Sequence, residues 1–343
     1  MSTKFVSVQA PARLHLGFLD LHGGLGRKFG SLGLAVRHVN TTLIAGYGDD
    51  IDVSGPGAER TAELAEQVLS HYGIDGGVRI EMVNAIPAHA GLGSGTQLSL
   101  AIATAITRLY GLSADTAKLA TILHRGARSG IGIGTFMHGG FIIDAGRGKQ
   151  TEVPPVISQA VVPEHWRILL VFDQGTEGIN GVPERRAFNT LPPLDADLAG
   201  LLCRLAMMQV LPAIAEDNCQ RFGIAITRIQ EIIGDYFAQV QGGRFTSPFL
   251  APVLSELQEL GATGSGQSSW GPTGFAFFPN ETTAFQALKK IRANWKKESR
   301  LSFMLTEPCN QPAMIKETET RPQLETFQDG ETIQQVITTS GQS

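Results

Sequence analysis

The residues with the strongest chemical signature lie in Pro87-Ala-His-Ala-Gly91-Leu-Gly93-Ser-Gly95-Thr96. This stretch follows a strand-like segment, Val78–Val83. It opens a run in which Leu98, Ala101, Ile102, Ala105, Ile106 and Leu109 recur at helical spacing. Where coil turns into helix, unpaired N–H groups and the positive end of the dipole favour an anion. Glycine lets the backbone come close to it. Gly91, Leu92, Gly93, Ser94, Gly95 and Thr96 are therefore the expected phosphate-binding positions, with Ser94 or Thr96 as helix N-cap. The spacing is neither the P-loop nor the dinucleotide fingerprint, and a turn that only caps a helix would use the same glycines.

Other candidates surround this loop. Arg13, Arg125 and Arg128 have the forked donors that clamp phosphate or carboxylate. His15 could donate to a phosphate or a leaving oxygen, or serve as a hydrogen-bonded structural residue. Asp20 and Glu184 are candidate carboxylates for a divalent cation, which takes one or two of them and keeps waters. Asp144 reads better as a strand-end turn residue. His89 and His138 read as incidental. Trp270 could pack on an aromatic ligand or simply belong to the core. A second glycine-rich stretch, Gly261-Ala-Thr-Gly264-Ser-Gly266, adds Gly264 and Gly266 as backbone contacts to a ligand, and Ser129 begins the glycine run that ends at Gly134.

The elements that must position these groups can be sketched. Strands are expected at 4–10, 34–45, 51–53, 78–83, 141–143, 167–172, 274–278 and 301–306. Helices are expected at 59–72, 98–109, 116–129, 197–214, 219–238, 248–260 and 281–295. Residues 146–165 read as a linker. Mixed strands and helices in two halves indicate an α+β protein, with domains over 1–160 and 161–315 and a polar tail over 316–343.

Composition narrows the function. The chain has 343 residues, of which 42% are hydrophobic, enough for a large core. A net charge of −4 without a basic stripe argues against nucleic acid as partner. No apolar run reaches the ~18 residues of a membrane span. Three scattered cysteines, with no C-x-x-C or H-E-x-x-H, fit a reducing, cytoplasmic setting and speak against a zinc site.

Three segments together resemble the GHMP kinase superfamily of small-molecule kinases. They are Ala10-Pro-Ala-Arg13-Leu-His15, the loop from Pro87 to Thr96, and Gly261 to Gly266 with the strand at 274–278. The resemblance implies an N-terminal domain of the ribosomal-protein-S5 domain-2-like type, a ferredoxin-like C-terminal domain and a ligand between them. Finer features look like the β-ribofuranosylaminobenzene 5′-phosphate synthase branch. These are Arg13 through Asp20, Gly30-Ser-Leu-Gly33, Arg125 through Gly134, Gly139 through Asp144, and Gly181-Val-Pro-Glu184. That branch implies joining 4-aminobenzoate to phosphoribosyl pyrophosphate with loss of CO2 and pyrophosphate, for a methanopterin-type cofactor. It also implies Mg2+, catalytic roles for Arg13, His15, Asp20 and Glu184, and compatibility with a homodimer. Two departures stand out. Ser94-Gly95 replaces Ser-Ser, and 129–134 lacks the aspartate that many superfamily kinases use as base. A kinase acting on ATP and a non-catalytic nucleotide sensor on the same fold are the competing readings.

Overall fold

The computed structural model describes residues 4–179 and 181–322. Two long antiparallel strands dominate the first half, β1 (Phe5–Asp20) and β2 (Phe29–Gly48). Both run well past the lengths expected from alternation. The reason is burial on both faces, which replaces alternation with near-continuous apolar sequence. β1 changes register between Pro11 and Ala12 and again between His15 and Gly17. The second bulge re-aims the strand at its most chemically loaded stretch.

The remaining strands of this sheet are β3 (Ile51–Ser54), β4 (Gly77–Asn84), β5 (Phe141–Asp144) and β6 (Val156–Ala160), joined by a late strand, Met314–Thr318. The seven-stranded sheet has Met314–Thr318 on the outer edge of β1, then β2, β4 and β3, while β5 pairs with β2 and β6. Helices α1 (Ala58–Tyr72), α2 (Ser94–Leu109), α3 (Thr116–Ile122) and α4 (Ile131–His138) close one side. Val6, Val8, Leu43, Leu64, Val68, Leu100 and Ile106 form the core between them.

The second sheet contains β7 (Arg167–Asp173), β8 (Gly264–Gln267), β9 (Gly274–Phe278) and β10 (Leu301–Thr306), in the order β10-β7-β9-β8. Numbered within this sheet, that is four-one-three-two, the expected ferredoxin-like arrangement. Between β7 and β8 run α5 (Gly181–Thr190), α6 (Ala196–Leu205), one π-turn over Ala206–Val210, α7 (Leu211–Ala215), α8 (Cys219–Gln241) and α9 (Leu250–Glu259). Helix α10 (Glu281–Asn294) precedes β10, and β11 (Met314–Thr318) is the strand that rejoins the first sheet. Among the described helices, the run Ala196–Ala215 is long and apolar enough to cross a membrane. It carries Asp197 and Arg204, and it buries Ala199, Leu202, Ala206 and Val210 in the core.

The two halves share that core. Leu14, Leu16 and Phe18 of β1 join Phe222, Ile226, Ile229 and Ile233 of α8 in one cluster. Gly17 makes the approach close, since a Cβ there would lie 2.8 Å from Ile229 Cγ2.

Several expectations are corrected. The helix expected over 116–129 stops at Ile122, and α4 begins at Ile131. The 146–165 linker contains β6. Residues 316–318, expected in the polar tail, belong to β11, and 323–343 lie outside the described residues. Gly264 and Gly266 are buried in β8 rather than set in a ligand loop. A Cβ on Gly264 would sit 2.1 Å from Gly223 O, and one on Gly266 would sit 2.4 Å from the Gln230 side chain. Their glycine identity follows from contact with α8. Gly264→Val is therefore expected to lower stability by roughly 3 kcal/mol or more, read by urea denaturation.

Candidate active site

The site is assembled where β1, the glycine loop and the β8–β9 connection meet. Arg13 donates from Nη1 to Gly91 O at 2.5 Å, and its backbone N–H donates to Leu92 O at 3.0 Å. The hydroxyl of Ser268 donates to the same Gly91 carbonyl at 2.7 Å and accepts the backbone N–H of His15 at 3.0 Å. Ser269 N–H donates to His15 O at 3.2 Å. The 174–179 loop closes the ring, with Gly178 N–H on His89 O at 3.1 Å. That loop is anchored by Asp173, which accepts Arg300 through both carboxylate oxygens at 2.7 and 2.9 Å, and Ser247 at 2.6 Å. Burial raises the Asp173 pKa, but these bonds outweigh it and hold the carboxyl below its ordinary value.

The glycine loop has the geometry expected of an anion cradle. Its N-cap is Gly93 in the left-handed region (φ 82°), with no side-chain cap, so neither Ser94 nor Thr96 fills that role. The Thr96 and Gln97 amides both turn back to Gly93 O. The N–H groups of Ser94 and Gly95 have no partner among the described residues, and residues 93–96 are only partly buried. Arg125 stands beside them, with Nη1 3.2 Å from where a Gly95 Cβ would lie and Nε donating to Ser99 Oγ at 2.9 Å. It has no carboxylate partner among the described residues. Burial and the nearby Arg60 lower its pKa.

Arg13 and His15 project from one face of β1. Arg13 keeps an accessible edge, yet crowding by protein atoms lowers its pKa to about 10, with Glu184 acting in the opposite sense. It remains a cation at neutral pH. His15 is only 4% exposed. Burial, then the Arg13 charge, push its pKa down to about 3, against a small opposing pull from its own backbone carbonyl. Its Nε2 has no hydrogen-bond partner among the described residues. As a neutral imidazole, His15 carries one N–H to donate and one lone pair to accept.

The remaining candidates divide. Glu184 on α5 pairs with Arg128 at 2.7 Å, and the Arg128 guanidinium lies over Phe188, 4.9 Å from the ring centroid. Phe188 in turn meets Phe18, Phe29, Phe237 and Trp270 at centroid distances of 5.6–5.7 Å. Asp20 Oδ1 accepts the N–H groups of His22 and Gly23 at 2.8 and 2.7 Å, which leaves Oδ2 without a partner among the described residues. No direct bond joins Asp20 to Glu184. Ser129 caps the first turn of α4 through Ile131 N–H at 3.2 Å. Asp144 is buried and accepts the Gly130 and Gly146 amides, both at 2.8 Å. Asp144 is structural. Sequence reasoning missed Gln230, which donates to Leu16 O at 2.7 Å and accepts Gln267 N–H at 2.8 Å. Its signal was a polar residue on the apolar stripe of α8.

This arrangement can be set beside known proteins. Residues 59–140 match the GHMP kinases N terminal domain, and residues 210–297 match the GHMP kinases C terminal domain. The β-ribofuranosylphenol 5′-phosphate synthase of Methanocaldococcus jannaschii is 33% identical over 79% of this chain and 88% of its own length. That of Archaeoglobus fulgidus is 34% identical over 78% and 86%. The chain belongs to the β-ribofuranosylphenol 5′-phosphate synthase branch of the GHMP kinases. The fold agrees. Homoserine kinase from Cytophaga hutchinsonii superposes with a TM-score of 0.62 at 16% identity, covering 91% of this chain and 97% of that one. Mevalonate diphosphate decarboxylase from Enterococcus faecalis gives 0.62 at 17%, covering 93% and 100%.

Within this synthase branch, the buried neutral histidine predicts a pH signature. His15 has a depressed folded pKa, so the unfolded chain binds its proton first. Stability attached to His15 is complete above about pH 6.5 and is lost as pH falls towards 3. His15→Gln is expected to flatten that decline, read as a smaller loss of Tm between pH 7 and pH 4 than in the unaltered protein.

Proposed function

We propose that this synthase joins a 4-substituted benzoate, 4-aminobenzoate in our reading, to C1 of phosphoribosyl pyrophosphate. CO2 and pyrophosphate leave, and the product is β-ribofuranosylaminobenzene 5′-phosphate, a precursor of tetrahydromethanopterin-type cofactors. The observation that carries this is the open pair of amides at Ser94 and Gly95 beside an arginine with no acid to balance it. Such a cradle holds a diphosphate and stabilises it as it departs. The C1–O bond breaks with its electron pair leaving on pyrophosphate. The ring carbon bearing the carboxylate forms the bond to C1, pushed by the para substituent. The C–COO− bond then breaks, and its pair restores the aromatic ring. No base is required.

That last point separates the synthase from an ATP-dependent kinase, which has an acceptor hydroxyl to orient or deprotonate. The carboxylate nearest the 129–134 run, Asp144, is committed to capping α4. A second acceptor has its own support, because the relatives named above are phenol synthases, making 4-hydroxybenzoate the competitor. Bound Mg2+ would neutralise charge on the diphosphate. Among the described residues no cluster of three or more His, Cys, Asp or Glu gathers, so the ion would rest on the substrate, waters and at most the free Asp20 Oδ2 and Glu184. Three free thiols and phosphorylated substrates support the cytoplasmic reading.

Release of CO2 from carboxyl-labelled 4-aminobenzoate or 4-hydroxybenzoate, with phosphoribosyl pyrophosphate and Mg2+, tests the proposal. Turnover of neither, together with phosphorylation of an alcohol by ATP, would reject it in favour of the kinase. Asp20→Asn keeps the Oδ1 acceptor that shapes the turn and removes only the charge. It is expected to lower kcat at least tenfold and to raise the Mg2+ concentration for half-maximal rate, with an unchanged Tm. Glu184→Gln frees Arg128 and should lower kcat/KM by a similar factor.

A further inference from the structure

Between β1 and α8 lies a small cavity that the anion loop does not account for. It is lined by His15, Gly17, Phe18, Gln230, Phe237 and Trp270, with Gln241, Arg244 and Gln267 at its margin. Its volume is about 30 Å³, room for one small polar group but not for a benzene ring. The amide and guanidinium side chains around it are already engaged, and Ser269 also lines it. Gln230 bridges Leu16 and Gln267. Gln267 accepts Thr246 N–H at 2.7 Å, and Arg244 is paired with Asp235 at 2.8 Å. His15 Nε2 is the exception, buried and without a partner.

A buried polar atom with no partner costs free energy unless something fills the need. A neutral imidazole has one N–H and one lone pair, and in the tautomer with its N–H on Nδ1 the Nε2 lone pair calls for a donor. Phe237 and Trp270, 4.4 Å apart at their centroids and nearly buried, close one side of the cavity. Position along β1 gives the direction. Arg13 reaches the anion loop, and His15 is two residues further along the same face, about 7 Å by the rise of a strand.

We infer that this cavity is the para-substituent subsite of the acceptor, with His15 Nε2 accepting a hydrogen bond from the 4-amino or 4-hydroxyl group and Trp270 walling the ring. The inference rests on the function proposed above. In that reaction the new bond forms at the carboxylate-bearing carbon, para to the substituent. The substituent must therefore be the end of the ring farthest from C1 and the diphosphate, as the Arg13–His15 order requires. The same hydrogen bond draws the substituent proton towards nitrogen as electron density moves into the ring. It assists the push without a full proton transfer.

The test is calorimetric titration of the unaltered protein with 4-aminobenzoate, 4-hydroxybenzoate and 4-fluorobenzoate, with and without magnesium diphosphate to fill the anion loop. Fluorine matches the hydroxyl in size but has no hydrogen to donate. At least tenfold weaker binding of 4-fluorobenzoate is expected. In His15→Phe the preference should fall below threefold, and Trp270→Leu should weaken all three compounds alike. Equal affinity for the three, which is what a resident water in the cavity predicts, overturns the subsite. So does a preference that survives in His15→Phe, or no binding of any compound under either condition. Should that variant fail to fold, the three-compound comparison on the unaltered protein still decides. CO2 release without a para-donor preference removes the subsite and leaves the reaction standing. A para-donor preference without CO2 release does the reverse.

Discussion

One carbonyl oxygen holds the site together. Gly91 O accepts both the Arg13 guanidinium and the Ser268 hydroxyl, and so ties three segments far apart in the chain to a single point. Everything near it is close-packed. A Cβ on Gly91 would meet Ser268 O at 2.2 Å, and one on Gly178 would meet Gly271 O at 2.2 Å. Backbone meets backbone here, and the glycines are what permit it. With its carbonyl turned inward to these donors, the loop leaves the Ser94 and Gly95 amides free to face outward. Fixing one side of the peptide chain thus leaves donors available on the other.

The electrostatics follow from that packing. Arg13 and His15 sit on one strand face, and burial works against charge on both. The arginine begins far above neutrality and stays ionised with a pKa near 10. The histidine begins near neutrality and is driven to about 3, so it is neutral at any physiological pH. One environment therefore yields a cation next to the anion loop and an uncharged acceptor one step further along. For a reaction that separates a diphosphate from a ribosyl centre and then needs electron donation from an aromatic ring, that division is useful.

The helix α4 shows how function-bearing segments can carry structural sequence. Ile131-Gly-Ile-Gly134 is a poor helix by propensity. It forms because its glycines admit neighbours. A Cβ on Gly132 would lie 2.9 Å from Thr96 Cγ2, and one on Gly134 would lie 2.8 Å from Ile142 Cγ2. Asp144 and Ser129 then secure its first turn. The helix braces α2, whose N-terminus is the proposed anion cradle, and Gln97 completes the brace with a 2.7 Å bond to Gly132 O. The absence of a kinase-like carboxylate in this run therefore does not leave a gap. The space is filled by packing.

The sequence by itself determined the α+β class, most helices, and the glycine-rich coil-to-helix junction from Gly91 to Thr96. Each of these rests on local information, namely periodicity, glycine at a coil-to-helix junction, and motif order. Tertiary structure alone decided what each glycine packs against, since Gly264 and Gly266 lie on α8 whereas Gly93 is left-handed and lies on the Arg13 side chain. It also decided that His15 is neutral and unpartnered, that Asp20 spends one oxygen on a turn, and that Phe188 and Glu184 of α5 cover the aromatic cluster. Burial and the identity of distant neighbours set these properties, and neither is encoded within a window of adjacent residues.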